Sequence, residues 1–224
     1  MSKYKRVVSV GAHPLDAELI GGPLMIRHQK HGAKCTMIHL TTGRLEDPNA
    51  TEEEKQAYSK QIQDEIENAA KEMGCDSYPM NYISSEMPTT AQFIDILVDY
   101  FTKEEVDLVI THCRGTLHPR HYYSYETVTE AVKKMRLNGS NIDLLYGENC
   151  EDLVGFIPTK YIMMSDEEKD IWFKGLSQYE IFNGKVNDVP YIDYYNSIGI
   201  IRAIEAGTHG FAKAYMHAGL IYEE

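Results

Sequence analysis

The stretch RVVSVGAHPLDAELIGG, Arg6–Gly22, decides how this chain folds. The apolar run 6–12 reads as a buried strand. It leads into a turn that carries His13 and Asp16, with the apolar Leu15 set between them. A helical pattern over 17–31 follows and closes at Gly32, a helix-stop signal. Working outward, further buried strands are expected at 35–42, 106–112 and 142–148. Helices are expected at 51–73, 91–102 and 122–137, the first stopping at Gly74. Strand and helix alternate, which predicts an α/β domain whose sheet is mainly parallel with right-handed crossovers, flanked by helices. Ligands of such sheets gather at the carboxyl ends of the strands. The loops after strands 6–12 and 106–112, GAHPLDAE and THCRGTLHPRH, are therefore expected to meet.

Composition narrows the class. The 224 residues, 43% of them hydrophobic, suit a single domain, 1–224. Within it, 1–150 reads as the α/β core and 151–224 as a less regular, tyrosine-rich part covering the site. The net charge of −12 argues against nucleic acid as a partner. No apolar run is long enough to span a membrane. The N-terminal residues read as a first strand rather than a signal peptide, so a cytoplasmic location is expected. Cys35, Cys75, Cys113 and Cys150 form no C-x-x-C pair and read as reduced thiols. No G-x-G-x-x-G is present to cradle a dinucleotide; Gly21 and Gly22 are expected to allow close helix packing.

His13 and Asp16 are three apart across one turn, and His118 and His121 are three apart in the second loop. Together they can offer two imidazoles and one carboxylate to one cation. A set of three protein ligands plus a water suits catalytic zinc, and the two-histidine, one-carboxylate set also suits iron(II). Spacing alone leaves ordinary turn and capping roles open. His112, Cys113 and His39 read as buried packing residues.

Beyond spacing, AHPLDAELIGG resembles the A-H-P-D-D-x-E signature of the LmbE-like, or PIG-L, de-N-acetylases. THCRGTLHPRH resembles that family's T-H…H-P-D-H signature. The likeness continues through LTTG (40–43), AAKEMG (69–74), YGENCEDLVGF (146–156), IPTKYI (157–162) and GFAKAY (210–215). The resemblance implies a Rossmann-like α/β fold and a zinc-dependent amidohydrolase. Such an enzyme removes the acetyl group from a small-molecule N-acetylated amino sugar or sugar conjugate. It implies zinc on His13, Asp16 and His121, with Asp16 and His118 as the catalytic pair. It also implies a homo-oligomer.

Several positions depart from the family pattern. Its general-base aspartate is Leu15 here, and the aspartate of H-P-D-H is Arg120. Thr116 stands for a tyrosine and Lys213 for a late glutamate; an arginine expected early in helix 51–73 is missing, with Gln61 and Ile62 nearby. A positioned base is worth roughly 10²–10⁴-fold in rate. With leucine in that place, His118 is the candidate to move protons, and Glu18 the other nearby base. Arg120 reads either as a grip on an anionic substrate group or as a solvated arginine at a helix start. Glu148 and Asn149 are candidate substrate-binding residues within the polar cluster 148–152, which otherwise reads as a solvated loop. The departures favour an alternative: a catalytically impaired pseudoenzyme that keeps the fold, with or without the metal, and binds a sugar-like ligand or a partner protein.

Overall fold

The computed structural model describes residues 2–41, 43, 45 and 47–218. Its strands are β1 (Arg6–Gly11), β2 (Lys34–Thr41), β3 (Asp76–Tyr82), β4 (Leu108–Thr111), β5 (Asp143–Gly147), β6 (Lys160–Met164) and β7 (Phe211–His217). Its α-helices are α1 (Asp16–Lys30), α2 (Glu52–Glu72), α3 (Thr90–Lys103), α4 (Pro119–Leu137), α5 (Asp166–Leu176) and α6 (Tyr191–Glu205). The strands form one seven-stranded sheet in the order β3-β2-β1-β4-β5-β7-β6. The first five are parallel; β7 runs antiparallel to both β5 and β6. This is the expected single α/β domain with a mainly parallel sheet.

Each strand expected from the apolar runs is present, with ends shifted by a residue or two. Thr42, the expected last residue of 35–42 and part of LTTG, lies outside the described residues. The C-terminal part differs most from expectation. It contributes two strands and two helices, and β7 lies inside the sheet between β5 and β6. β7 is amphipathic only weakly: Phe211 to Tyr215 are all buried, so no alternation marks it as a strand. β3 is a further strand beyond those expected, since Pro79 interrupts it and its residues are mostly half-exposed, as suits an edge strand.

Two apolar layers clamp the sheet. On one face α1 packs with α2, α5 and α6 around Ile20, Met25, Ile66, Trp172, Tyr195 and Phe211. On the other, α3 and α4 pack around Phe93, Leu97, Phe101, Val128 and Val132. The expected role of Gly21 and Gly22 is visible. A Cβ at Gly21 would overlap the Ser9 side chain of β1, and one at Gly22 would overlap the indole of Trp172. Helices α2, α3 and α5 begin with capping boxes at Thr51/Glu54, Thr89/Gln92 and Ser165/Glu168. All four cysteines are free thiols. No described helix is long and apolar enough to cross a membrane.

The strand order places the site. The chain leaves β1 towards β2 and β3 on one side, and β4 and β5 lie on the other. That reversal leaves a crevice at the carboxyl ends of β1 and β4. The loops 12–15 and 112–118 both open into it.

Candidate active site

β1 ends at Gly11, and the chain turns through His13-Pro14-Leu15-Asp16. Asp16 N–H donates to the His13 carbonyl at 3.2 Å, closing a β-turn. Leu15 has φ 82° and ψ −31°, the third-position conformation of a type II turn, which glycine or asparagine normally takes; proline suits the position before it. Leu15 is buried in the apolar layer with Tyr179, Phe182 and Tyr195. A leucine held at positive φ costs about 1–2 kcal/mol, here offset by the burial of its side chain.

The turn delivers Asp16 to the first turn of α1, where the helix dipole favours a carboxylate. Asp16 Oδ2 accepts from His13 N–H at 2.8 Å and faces His13 Nδ1 at 3.2 Å. It also lies 3.3 Å from His121 Nε2 and 3.5 Å from His112 Nε2. Asp16 Oδ1 accepts from Asn149 Nδ2 at 3.0 Å. Burial pushes the Asp16 carboxyl up, but the His121 and His112 imidazoles outweigh it and hold the group well below its ordinary value.

The second loop supplies three more histidines. His118 is the N-cap of α4 and Pro119 its first residue, a favoured place for proline. His118 Nδ1 accepts from Arg120 N–H at 3.3 Å, so the ring carries its proton on Nε2. Burial, then the neighbouring His121 and His13 rings, push the His118 imidazole down to about 4. It is therefore neutral, with one N–H to donate. The His13 and His118 rings stand 4.7 Å apart, and those of His118 and His121 4.5 Å.

Asp152 sits beneath the cluster, and sequence reasoning did not single it out. Its Oδ1 faces His121 Nδ1 at 2.8 Å and its Oδ2 faces His112 Nδ1 at 2.6 Å. A carboxylate only accepts, so both imidazoles present Nδ1–H to it and keep Nε2 for other work. His112 Nε2 accepts from Ala12 N–H at 3.1 Å. Among the described residues no such donor meets His121 Nε2; it faces Asp16, and Glu151 Oε2 at 3.7 Å. Carboxylate-histidine pairs of this kind fix the ring and its basicity at metal sites. Burial lifts the Asp152 carboxyl, yet its hydrogen bonds from His112 and His121 bring it down to about 2. Burial would lower the His121 imidazole, but the Asp16 charge and the Asp152 hydrogen bond raise it to about 10. The Cys113 thiol donates to the Asp152 carbonyl at 2.9 Å.

Among the described residues, two overlapping groups have ligand atoms close enough to share one ion: His13, His118 and His121, and Asp16, His112 and His121. Within their union, His112 and His118 each have a lone pair committed to a backbone N–H. His13, Asp16 and His121 are left able to hold a cation, and this buried carboxylate-rich pocket suits a positive charge. The donor set of imidazoles and one carboxylate fits a divalent ion such as zinc.

The remaining expected residues fall as follows. Arg120 Nε donates to Ser84 Oγ at 2.7 Å, and its Nη2 donates to the Ser84 carbonyl. Part of the guanidinium thus braces the 84–86 turn rather than standing free in the pocket. Glu148 and Asn149 were expected to face a ligand, but both are buried. Glu148 accepts from Arg202 Nε at 2.9 Å, and Asn149 holds Asp16. Asn149 Nδ2 is spent on an internal partner, whereas Glu148 Oε2 is buried with no hydrogen-bond partner among the described residues. Lys213 is buried against the Trp172 and Tyr195 rings and donates to the Glu148 carbonyl at 2.6 Å. Burial pushes its amine down to about 8. Glu18 is fully buried; it accepts from Tyr179 Oη at 2.9 Å and pairs with His39 Nε2 at 3.0 Å, so it faces away from the crevice.

Comparison with known proteins agrees with this architecture. A conserved protein from Thermus thermophilus superposes with a TM-score of 0.75 at 16% identity, covering 97% of this chain and 96% of that one. N,N'-diacetylchitobiose deacetylase from Pyrococcus horikoshii superposes with a TM-score of 0.74 at 16% identity, covering 96% of this chain and 84% of that one. GalB, the 4-carboxy-2-hydroxymuconate hydratase of Pseudomonas putida, gives 0.77 at 14% identity and 98% coverage of both chains. At such identities the likeness establishes the fold only. No curated protein matches in sequence. The family model for PIG-L, GlcNAc-PI de-N-acetylase, matches residues 8–132, more than half of the chain and the segment that carries Asp16 and the four clustered histidines, His13, His112, His118 and His121. The chain belongs to the PIG-L family.

Proposed function

We propose that this protein is a metal-dependent hydrolase that removes the acetyl group from an N-acetylated amino sugar or sugar conjugate. Family membership and the deacetylase among its structural neighbours support the reaction class. One observation carries the reading for this chain: His13, Asp16 and His121 converge at the crevice, with Asp152 fixing the His121 ring behind them. These three residues would hold a divalent ion, zinc by donor type. When bound, such an ion polarises a carbonyl and lowers the pKa of water towards about 7.

The chain's own groups supply the rest. Asn149 and the His13 backbone orient Asp16. Asp152 fixes the His121 ring so that Nε2 faces the crevice. His118 is neutral and offers Nε2–H, which suits stabilising negative charge on the carbonyl oxygen. His13 and His118 are half-exposed while Asp16, His112 and His121 are buried, so substrate approaches from the His13–His118 side.

The test is to purify the protein, measure bound metal, and assay acetate release from N-acetylglucosamine and chitobiose-type substrates. The reading expects about one divalent ion per chain, loss of that ion in His121→Ala, and acetate release that depends on it. A chain that binds no divalent metal and releases no acetate overturns it. A second reading, a binding protein without turnover, is favoured by the departures at Leu15, Arg120 and Lys213. Metal binding with tight sugar binding and no acetate release selects it.

A further inference from the structure

Leu15 leaves the site without the carboxylate that the resemblance places there, and its side chain is turned into the apolar layer. Among the described residues, the carboxylates around the crevice are Asp16, Asp152, Glu18, Glu148 and Glu151. Asp16 faces the cation position. Both oxygens of Asp152 are occupied by His112 and His121. Glu18 is fully buried between His39 and Tyr179. Glu148 is fully buried against Arg202. Glu151 alone among these has a side chain open to solvent, 52% exposed, and its Oε2 stands 3.7 Å from His121 Nε2. That nitrogen is the one left free for a cation. Glu151 is also seated firmly at its backbone: its N–H donates to Asn149 Oδ1 at 3.2 Å, and Asn149 holds Asp16. A carboxylate is thus built into the solvent side of the site by the residue beside Asp152.

We propose that Glu151 is the catalytic carboxylate of this protein and accepts the proton of the attacking water, the role Leu15 cannot fill. The inference rests on the hydrolase reading above. The water oxygen bonds to the amide carbonyl carbon while one of its protons passes to the Glu151 carboxylate. The carbon–nitrogen bond then breaks, and Glu151 returns that proton to the departing nitrogen. The products are a free amine and acetic acid, which ionises in solution. Asp16 and Asp152 keep their places throughout.

The experiment compares the natural chain with Glu151→Gln, Glu151→Ala and the double variant Glu151→Gln/Leu15→Asp. Acetate release, zinc affinity by calorimetry and thermal midpoint are read for each. Glu151→Gln is expected to lower kcat by about 10²–10⁴-fold, with zinc affinity within about threefold, since the side chain is not among the three ion-holding residues. Added formate is expected to restore part of the activity of Glu151→Ala, an effect that a merely structural role would not show. Leu15→Asp is expected to recover activity in the Glu151→Gln background; should that double variant fail to fold, the formate result decides. Unchanged kcat in Glu151→Gln overturns the proposal. So does a loss of activity fully explained by lost zinc, or the absence of any formate rescue. A natural chain that binds zinc but releases no acetate overturns the hydrolase reading itself, and this inference with it.

Discussion

Replacing Asp152 by asparagine isolates the residue that sets the geometry of the histidine cluster. Asp152 is buried and receives Nδ1–H from both His121 and His112, at 2.8 and 2.6 Å. Asparagine keeps the shape but has one acceptor oxygen and a donor NH₂ in place of the other. One imidazole must then face a donor with a donor, or move its proton to Nε2. For His121 that move removes the lone pair on the ion side. For His112 it removes the acceptor for Ala12 N–H. Leaving one buried polar group unmatched costs about 1–3 kcal/mol. For a chain of this size each kcal/mol moves the midpoint by roughly 2–4 °C, so the expected drop is about 2–12 °C. Losing the carboxylate behind a metal-binding histidine typically weakens metal affinity about 10–100-fold. Scanning calorimetry of the metal-free protein and zinc titration of both forms measure the two effects. Acid adds a signature. The folded Asp152 titrates near 2 against an ordinary value of 3.8. Its stabilising contribution is complete above the ordinary value and disappears as pH falls through the folded one. The stability gap between the natural chain and Asp152→Asn is therefore expected to narrow as pH drops from about 4 to about 2. A variant with an unchanged midpoint and unchanged zinc affinity would refute the assignment of Asp152 as the group that sets the two tautomers.

Two further outcomes follow from the same geometry. In the metal-free protein His121 titrates near 10 instead of 6.5, so its contribution to stability is full below 6.5 and fades as pH rises through 10. On the proposed metal-binding reading, zinc would have to displace that proton, so binding at pH 8 is expected to release a proton from His121 and to tighten by up to about tenfold per pH unit. Calorimetry in two buffers of different ionisation heat measures the release, and zinc uptake without any proton release contradicts it. A Cβ at Gly115 would run into the Val154 backbone carbonyl, where Val154 N–H already donates to the Gly115 carbonyl at 3.0 Å. Gly115→Ala is expected to part the loops that carry His118 and Asp152. It should lower stability by about 1–3 kcal/mol and weaken zinc binding; a denaturant midpoint equal to the natural chain's refutes this contact.

Local sequence determined the elements whose signals lie within a few residues. The apolar run of β1, the proline-containing turn and the helix stop at Gly32 set one supersecondary unit. The alternation of strands and helices up to residue 147 set the parallel sheet and brought two loops to one crevice. His13, Asp16, His118 and His121 were legible because each pair sits three residues apart on a tight turn or helix start. The tertiary structure alone decided what surrounds them. Asp152 meets His121 across 31 residues and His112 across 40, and Asn149 meets Asp16 across 133. No periodicity records such contacts, so 148–152 read as either a substrate-pocket lining or a solvated loop, although three of its residues are buried and hydrogen-bonded. The placement of β7 inside the sheet was equally hidden, because a strand buried along most of its length has no alternation and its partners β5 and β6 lie about fifty residues or more before it. The physical reason is common to both cases. Hydrogen bonds and packing act through space over a few ångströms, whereas pattern in a sequence reports only neighbours along the chain.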